Sequence, residues 1–269
     1  MRKSPKAKDA VTPLVPRPVL VKLGGSLLTD KATESSFRRN VARRLLSELA
    51  KANAPMVVLH GAGSFGHPQA ARHRLGQSKA KPDGVSEVLA AVGALHAQVV
   101  SLAQDAGLRP LSFPLHTTVH VEGDELADLP CDAIAKAVEE GYTPVLHGTL
   151  VRDPALAWRV VSADELMQEL AAELTPRLAV FATDVDGVYA GDPAAPGARL
   201  LAKVDGTVQV AASATAGAGA DVTGRMAGKL ERARAVARSC PTMILNGEVK
   251  GRLLDALKGK SVPCTRVEA

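Results

Sequence analysis

VVLHGAGSFGHPQA (Val57–Ala70) decides how this chain is read. An apolar run closes on Gly61, Gly63 and Gly66, and His67-Pro68 follows at once. Glycines at this spacing form dinucleotide-binding loops and also other phosphate-holding loops, because a backbone without Cβ atoms lets an anion come close. The dinucleotide reading asks for the first βα unit of its domain and a strand-end acid about 20 residues on. Here another glycine turn already ends an earlier strand, and Asp83 and Glu87 fall in or beside a helical stretch. Pro68 suits the first turn of a helix, which sets His67 at a helix start. An imidazole beside unpaired amides suits an anion. The loop reads as a grip on phosphate, with a nicotinamide cofactor as the lesser alternative.

Working outward, short apolar runs rich in Val, Leu and Ile recur at 18–24, 55–61, 108–115, 143–151, 177–185 and 241–247. They are apolar nearly throughout, as strands buried on both faces are. Helical patterns lie between them. Residues 35–53 open on serines placed to cap and carry Phe37, Val41, Leu45, Leu46 and Leu49 on one side. Residues 84–107 form a long helix ending at Gly107, and 131–141, 162–174 and 224–239 follow. Strands alternating with helices predict an α/β chain whose central, mostly parallel sheet is covered on both faces. The turn-rich stretches at 190–203 and 213–224 read as long loops within one sheet domain. The expected division is a flexible basic leader at 1–17 and a single domain at 18–269.

Composition excludes some classes. Aromatic residues make up 3% of the 269-residue chain, so base-stacking recognition of single-stranded nucleic acid is disfavoured. A net charge of +5 fits an anionic ligand weakly, since much of the excess sits in the leader MRKSPKAK. No apolar run approaches the roughly 20 residues that cross a bilayer, and the leader has no apolar core of a secretory signal. Cys131, Cys240 and Cys264 are far apart with no CxxC spacing, which suggests neither zinc nor a disulfide framework. They read as reduced core thiols of a cytoplasmic protein.

Two further glycine segments carry charge. In VKLGGSLLTDK (21–31), Gly24 and Gly25 can turn their amides toward a phosphate, Lys22 precedes them, and Lys31 can fold back. In ATDVDGVY (182–189), Asp184 and Asp186 end a strand around Gly187. DVTGRMAGK (221–229) imitates a P-loop but lacks its Gly-Lys-Ser/Thr order; Thr223 and Gly224 still start a helix, with Lys229 about a turn inside. No Ser-His-Asp or Cys-His signature is present. Phosphoryl transfer needs none, only positioning and cations, which Lys22, Lys31, His67 and Lys229 can supply with Asp164 orienting a lysine.

Taken in order, KLGGSLLTDK, HGAGSFGHP, PVLHG, VVSADE, ATDVDGVY, DVTGRMAGK and LNG resemble the amino acid kinase superfamily, over residues 18 to about 250. Within it the likeness is to the isopentenyl phosphate kinases. The resemblance implies a three-layer αβα sandwich, with about 18–150 binding a phosphate acceptor and about 151–269 binding ATP. It implies Lys22, Lys31 and Lys229 as the lysines that neutralise the transferring phosphoryl, with Asp164 orienting them. His67 would hydrogen-bond the acceptor phosphate, aided by the amides of Ala62 and Gly63, with Gly66 and Gly148 completing that site. Gly24, Gly25 and Ser26 would hold ATP phosphates. Thr183, Asp184, Asp186, Gly187, Tyr189, Thr223 and Gly224 would shape the rest of the nucleotide site. Magnesium would travel with ATP, bound by phosphate oxygens and water with no protein ligand set, and the chain would be a homodimer without nucleic-acid or membrane partners.

The chain departs from the family pattern at four places: Ala62 and Ala163 replace glycines, Thr149 an aspartate and Arg225 a glycine. The methyl of Ala62 is expected to intrude on its loop. Residues 86–100 read first as a helix packed plainly on the sheet. The alternative is that part of the stretch lines an apolar pocket for the acceptor tail, where Ala91, Gly93 and Ala94 leave room beside Leu89 and Val92, and His96 reads as structural or exposed. The rival readings are a kinase of a fosfomycin-type phosphonate or a nucleoside monophosphate, and a non-catalytic ATP-binding protein on the same fold.

Overall fold

The computed structural model describes residues 17–191, 197–207 and 222–269, with side chains from 227 onward in the last stretch. Residues 1–16, 192–196 and 208–221 lie outside the described residues, as do the side chains of Thr223 and Arg225. The elements in order are β1 (Val19–Leu23), α1 (Gly25–Leu28), α2 (Arg39–Ala52), β2 (Met56–His60), α3 (His67–Arg72), α4 (Pro82–Asp105), β3 (Pro110–Ser112), β4 (His120–Glu122), β5 (Glu125–Ala127), α5 (Cys131–Glu139), β6 (Thr143–His147), β7 (Thr149–Asp153), β8 (Ala157–Val161), α6 (Ala163–Leu174), β9 (Leu178–Thr183), β10 (Lys203–Val204), α7 (Val222–Ala237), β11 (Thr242–Asn246), α8 (Arg252–Leu257) and β12 (Cys264–Val267).

Eight strands form the main sheet in the order β10-β12-β11-β9-β1-β2-β6-β3. Every pair is parallel except β11 with β12. The two-residue period of a strand explains the apolar runs, because alternate residues serve opposite faces. Leu20, Leu59, Leu146, Phe181 and Ile244 join a core closed by α5, α6 and α7. Val21, Val58, Val145, Val180 and Leu245 join one closed by α2, α4 and α8. The result is the expected three-layer αβα sandwich.

Several local expectations change. The run at 143–151 is two strands, not one. It breaks at Gly148, whose amide donates to the His60 carbonyl at 3.2 Å, and β7 then leaves for a second sheet ordered β5-β4-β7-β8. The serines before α2 do not cap it; Arg38 holds the cap position without a side-chain bond. By length and composition α4 would suffice to cross a bilayer, contrary to the sequence expectation, yet Val88, Val92, Leu95, Val99 and Leu102 on it are buried in the molecule. Gly107 follows the α4 cap at φ +91°, as a C-terminal glycine should. Cys240 is buried and the other two thiols are half-buried.

One close approach fixes the rim of the sheet. β1 and β2 are adjacent and parallel, so their outgoing loops cross. A Cβ on Gly25 would lie 2.6 Å from the Gly63 nitrogen, and one on Gly61 would lie 2.7 Å from the Gly25 nitrogen. Both obstacles are backbone, which cannot step aside cheaply. In contrast, a Cβ on exposed Gly93 of α4 would meet nothing within 4 Å. Gly25→Ala is expected to cost about 2 kcal/mol or more, whereas Gly93→Ala should stabilise by about 0.5–1 kcal/mol. Urea unfolding of the two variants beside the parent checks this; equal midpoints would contradict the crossing.

Candidate active site

The site lies where β1, β2, β6 and β9 end, the rim at which open α/β sheets place ligands. Lys22 is the penultimate residue of β1. It shares the Leu20 face, and only 6% of it is exposed. An ammonium so placed requires a partner. α6 supplies one: Ser162 caps that helix by accepting the Glu165 amide at 3.1 Å, and Asp164 in its first turn accepts from Lys22 Nζ at 2.6 Å. Lys31 folds back from the loop after α1 to donate to Asp184 Oδ2 at 2.7 Å, just past β9. Lys229, on α7, donates to Thr183 Oγ1 at 2.7 Å, and that hydroxyl donates to Asp184 Oδ1 at 3.1 Å.

These groups feel one another. Burial, then the charges of Lys22 and Lys31, pull the Lys229 ammonium down to about 8 against the support of Asp164 and Asp184. Burial pushes the Asp184 carboxyl up, but Lys31 and the Ser26 hydroxyl more than reverse this and hold it at about 2. Three ammonium groups thus face two carboxylates, and the cleft keeps an excess of positive charge. Asp186 takes a different role: its Oδ1 accepts from Arg252 and from Asn246 at 3.0 Å, and its Oδ2 accepts from Tyr189 at 3.4 Å. Gly187 packs against Thr265. Thr223 and Gly224 lie in the first turn of α7.

The glycine loops are more selective than the sequence suggested. The Gly24 amide donates to the Ala182 carbonyl at 2.9 Å and so is spent on the sheet. The amides of Gly25 and Ser26, opening α1, donate to no carbonyl among the described residues, and neither do those of Ala62 and Gly63. The Gly66 and Gly148 amides are used, on Gly63 and His60. Gly63 adopts φ +50°, where a Cβ would also strike Thr29 Oγ1. Ala62, in contrast, sits at φ −75°, ψ −27°. Its side chain therefore strains nothing, and the expected intrusion is corrected. The methyl instead packs on a third apolar cluster of Leu75, Val85, Val88, Val92 and Leu150. Of the residues named for a tail lining, Val92 belongs to that cluster and Leu89 packs against it, whereas Gly93 and Ala94 are exposed on the outer side of α4. His67 opens α3 and is exposed. Ala163 is a buried core methyl, and Thr149 Oγ1 is buried without a hydrogen-bond partner among the described residues.

Sequence reasoning missed a stack of imidazoles beside this loop. His60 and His147 are register partners on β2 and β6, and His96 of α4 leans on both, with ring centroids 4.5–5.4 Å apart. Burial depresses all three, His96 to about 3. The repeated His-Gly at two strand ends was the available signal.

Among the described residues no cluster of His, Cys, Asp or Glu could cage a metal ion. Asp184 and Asp186 are already engaged by cations. This donor set fits a cation that arrives on a ligand's phosphates and keeps its waters.

Residues 17–246 match the profile of the amino acid kinase family. The chain is 31% identical over 262 residues to the isopentenyl phosphate kinase of Methanothermobacter thermautotrophicus, covering 93% of this chain and 98% of that one. It is 30% identical over 190 residues to the enzyme of the same name from Thermoplasma acidophilum, covering 70% and 76%. Among solved structures, an isopentenyl phosphate kinase superposes with a TM-score of 0.80 at 29% identity over 93% of this chain and 99% of that one. A substrate complex of isopentenyl phosphate kinase superposes at 0.77 with 27% identity, over 93% and 100%.

Two pH effects follow. Anion binding favours the charged form of Lys229, whose ammonium is lost as pH rises through about 8. Binding of a polyphosphate anion at pH 8.5 should therefore take up a proton, and Lys229→Arg should abolish the uptake because arginine stays charged. Calorimetry in two buffers of different ionisation heat measures this; equal heats in the parent would contradict it. The imidazoles titrate lower folded than unfolded, so their contribution is full above about pH 6.5 and is lost as pH falls below that value. The melting temperature should drop from pH 6.5 to 5, and less so in His96→Gln.

Proposed function

The chain belongs to the amino acid kinase family, and on that premise we propose that it is an ATP-dependent kinase converting isopentenyl phosphate to isopentenyl diphosphate. The observation that carries the reading is the convergence of Lys22, Lys31 and Lys229 around Asp164 and Asp184, beside the unpaired amides of Ala62 and Gly63. Such a cleft suits two anionic ligands meeting end to end.

In this reading a phosphate oxygen of the acceptor attacks the γ-phosphorus of ATP in line, a new P–O bond forms, and ADP leaves with the electrons of the broken one. The attacking oxygen is already ionised, so no general base is needed. The three ammonium groups offset the charge that spreads over the transferring phosphoryl. Asp164 keeps Lys22 pointed into the cleft. Ala62, Gly63 and His67 hold the acceptor phosphate, with Gly66 and Gly148 shaping the turn. Gly25, Ser26 and the Thr223-Gly224 helix start hold the nucleotide phosphates, Gly24 serving through the sheet. Thr183, Asp184, Asp186, Gly187 and Tyr189 form the nucleotide side. Magnesium, carried by the nucleotide, would supply further charge neutralisation between its phosphates. The prenyl tail would lie against the cluster around Val88, Val92 and Leu150, next to the Ala62 methyl. On this assignment residues 18–150 serve the acceptor and 151–269 the nucleotide, in a cytoplasmic homodimer.

Product formation from ATP with a panel of acceptors tests the reading. Isopentenyl phosphate should outpace a nucleoside monophosphate and a fosfomycin-type phosphonate. Preference for another acceptor would reassign the substrate, and ATP binding without turnover of any would make the protein non-catalytic. Lys22→Ala, Lys229→Ala and His67→Ala should each cut turnover by about 10²–10³-fold while the circular-dichroism spectrum persists.

A further inference from the structure

The imidazole stack has a defined hydrogen-bond direction. His60 Nδ1 lies 3.2 Å from the Gly61 carbonyl oxygen and His147 Nδ1 lies 2.9 Å from that of Gly148. A carbonyl only accepts, so both rings carry their proton on Nδ1. His60 Nε2 is then bare and accepts from His96 Nδ1 at 3.0 Å. That leaves His96 Nε2 bare, and it accepts from the Ser112 hydroxyl at the end of β3. Each ring is satisfied only as the neutral Nδ1–H tautomer.

The consequence reaches the phosphate loop through covalent geometry. A trans peptide points its carbonyl and its N–H in opposite directions, and the chain contains no cis peptide among the described residues. The Gly61 carbonyl and the Ala62 N–H share one such plane. Drawing the carbonyl toward the imidazole therefore turns the Ala62 amide away from the stack, and that amide finds no acceptor among the described residues. A second tie sets the same corner, since the His60 carbonyl accepts the Gly148 amide.

We propose that His60 is a positioning residue for the acceptor phosphate, holding the Gly61 carbonyl so that the Ala62 amide is aimed at that phosphate, with His96, Ser112 and His147 locking its ring. This rests on the acceptor assignment above. His60 touches neither substrate in this scheme; it acts through the peptide it holds.

Three variants of the full chain separate the bonds. His60→Asn keeps a donor near the Nδ1 position and loses the His96 contact. His60→Gln keeps a polar group near Nε2 and loses the Gly61 bond. His60→Leu loses both. With isopentenyl phosphate and ATP, the Leu and Gln variants should raise the acceptor KM about tenfold or more, a loss on the scale of one hydrogen bond to a charged group. The ATP KM should stay within about twofold, the spread of an undisturbed site, and Asn should recover most of the acceptor KM. Unchanged acceptor KM in Gln, equal rises in both KM values, or Asn as impaired as Gln would overturn the proposal; the Asn–Gln comparison decides even if Leu does not fold. Imidazole ¹⁵N shifts of the substrate-free parent give an independent reading: Nδ1–H on His60 and His96 is expected, and Nε2–H on His60 would overturn it. Failure of the acceptor assignment looks different, as absent turnover of isopentenyl phosphate in the parent itself.

Discussion

Like charge held in one cleft is the constraint on which the rest of this molecule turns. Two unit charges about 4 Å apart interact by about 4 kcal/mol near a protein surface, so three ammonium groups do not share a rim unless something opposes their repulsion. Asp164 and Asp184 do so, each meeting a lysine from a distant part of the chain. The arrangement stays short of neutral. Lys229 shows the residual tension most directly, since its partner is a neutral hydroxyl and its proton is held weakly. A polyanion would relieve that tension, and the folded chain is organised to receive one.

The sheet makes this possible by putting β1 between β2 and β9. Lys22 at the end of β1 then stands beside the glycine loop of one neighbour and the Thr183-Asp184 corner of the other. The same adjacency forces the two glycine loops into backbone contact, which is why residues 25, 61 and 63 admit no side chain. Residue 62 is under no such restriction. Its right-handed backbone accepts alanine, and the methyl is absorbed by apolar neighbours. The departure from the family's glycine at this place is thus taken up by apolar packing beside the loop.

Much of this was legible beforehand, for physical reasons that differ by element. The β1, β2, β9 and β11 runs were visible because a strand covered on both faces must be apolar at consecutive positions. Gly107 was visible because a helix end wants a left-handed residue. β4, β5 and β8 were not, since short strands of a small peripheral sheet carry mixed residues and little periodicity. The serine cap before α2 misled because Arg38 bonds the Leu28 carbonyl and sets the helix start instead. Within the site, residue types suited to anions stood out, whereas their partners did not. Nothing local ties Lys31 to Asp184 or Asp186 to Arg252, which lie 153 and 66 residues apart.

By itself, then, the sequence determined the layered α/β architecture and the stock of glycines, lysines and carboxylates at strand ends, because burial and backbone freedom act residue by residue. Only the tertiary structure decided which charges meet, which amides remain unspent, and that three histidines from β2, α4 and β6 form one stack. Those are pairings between groups remote in the chain, and such a pairing exists only once the strands have taken their order.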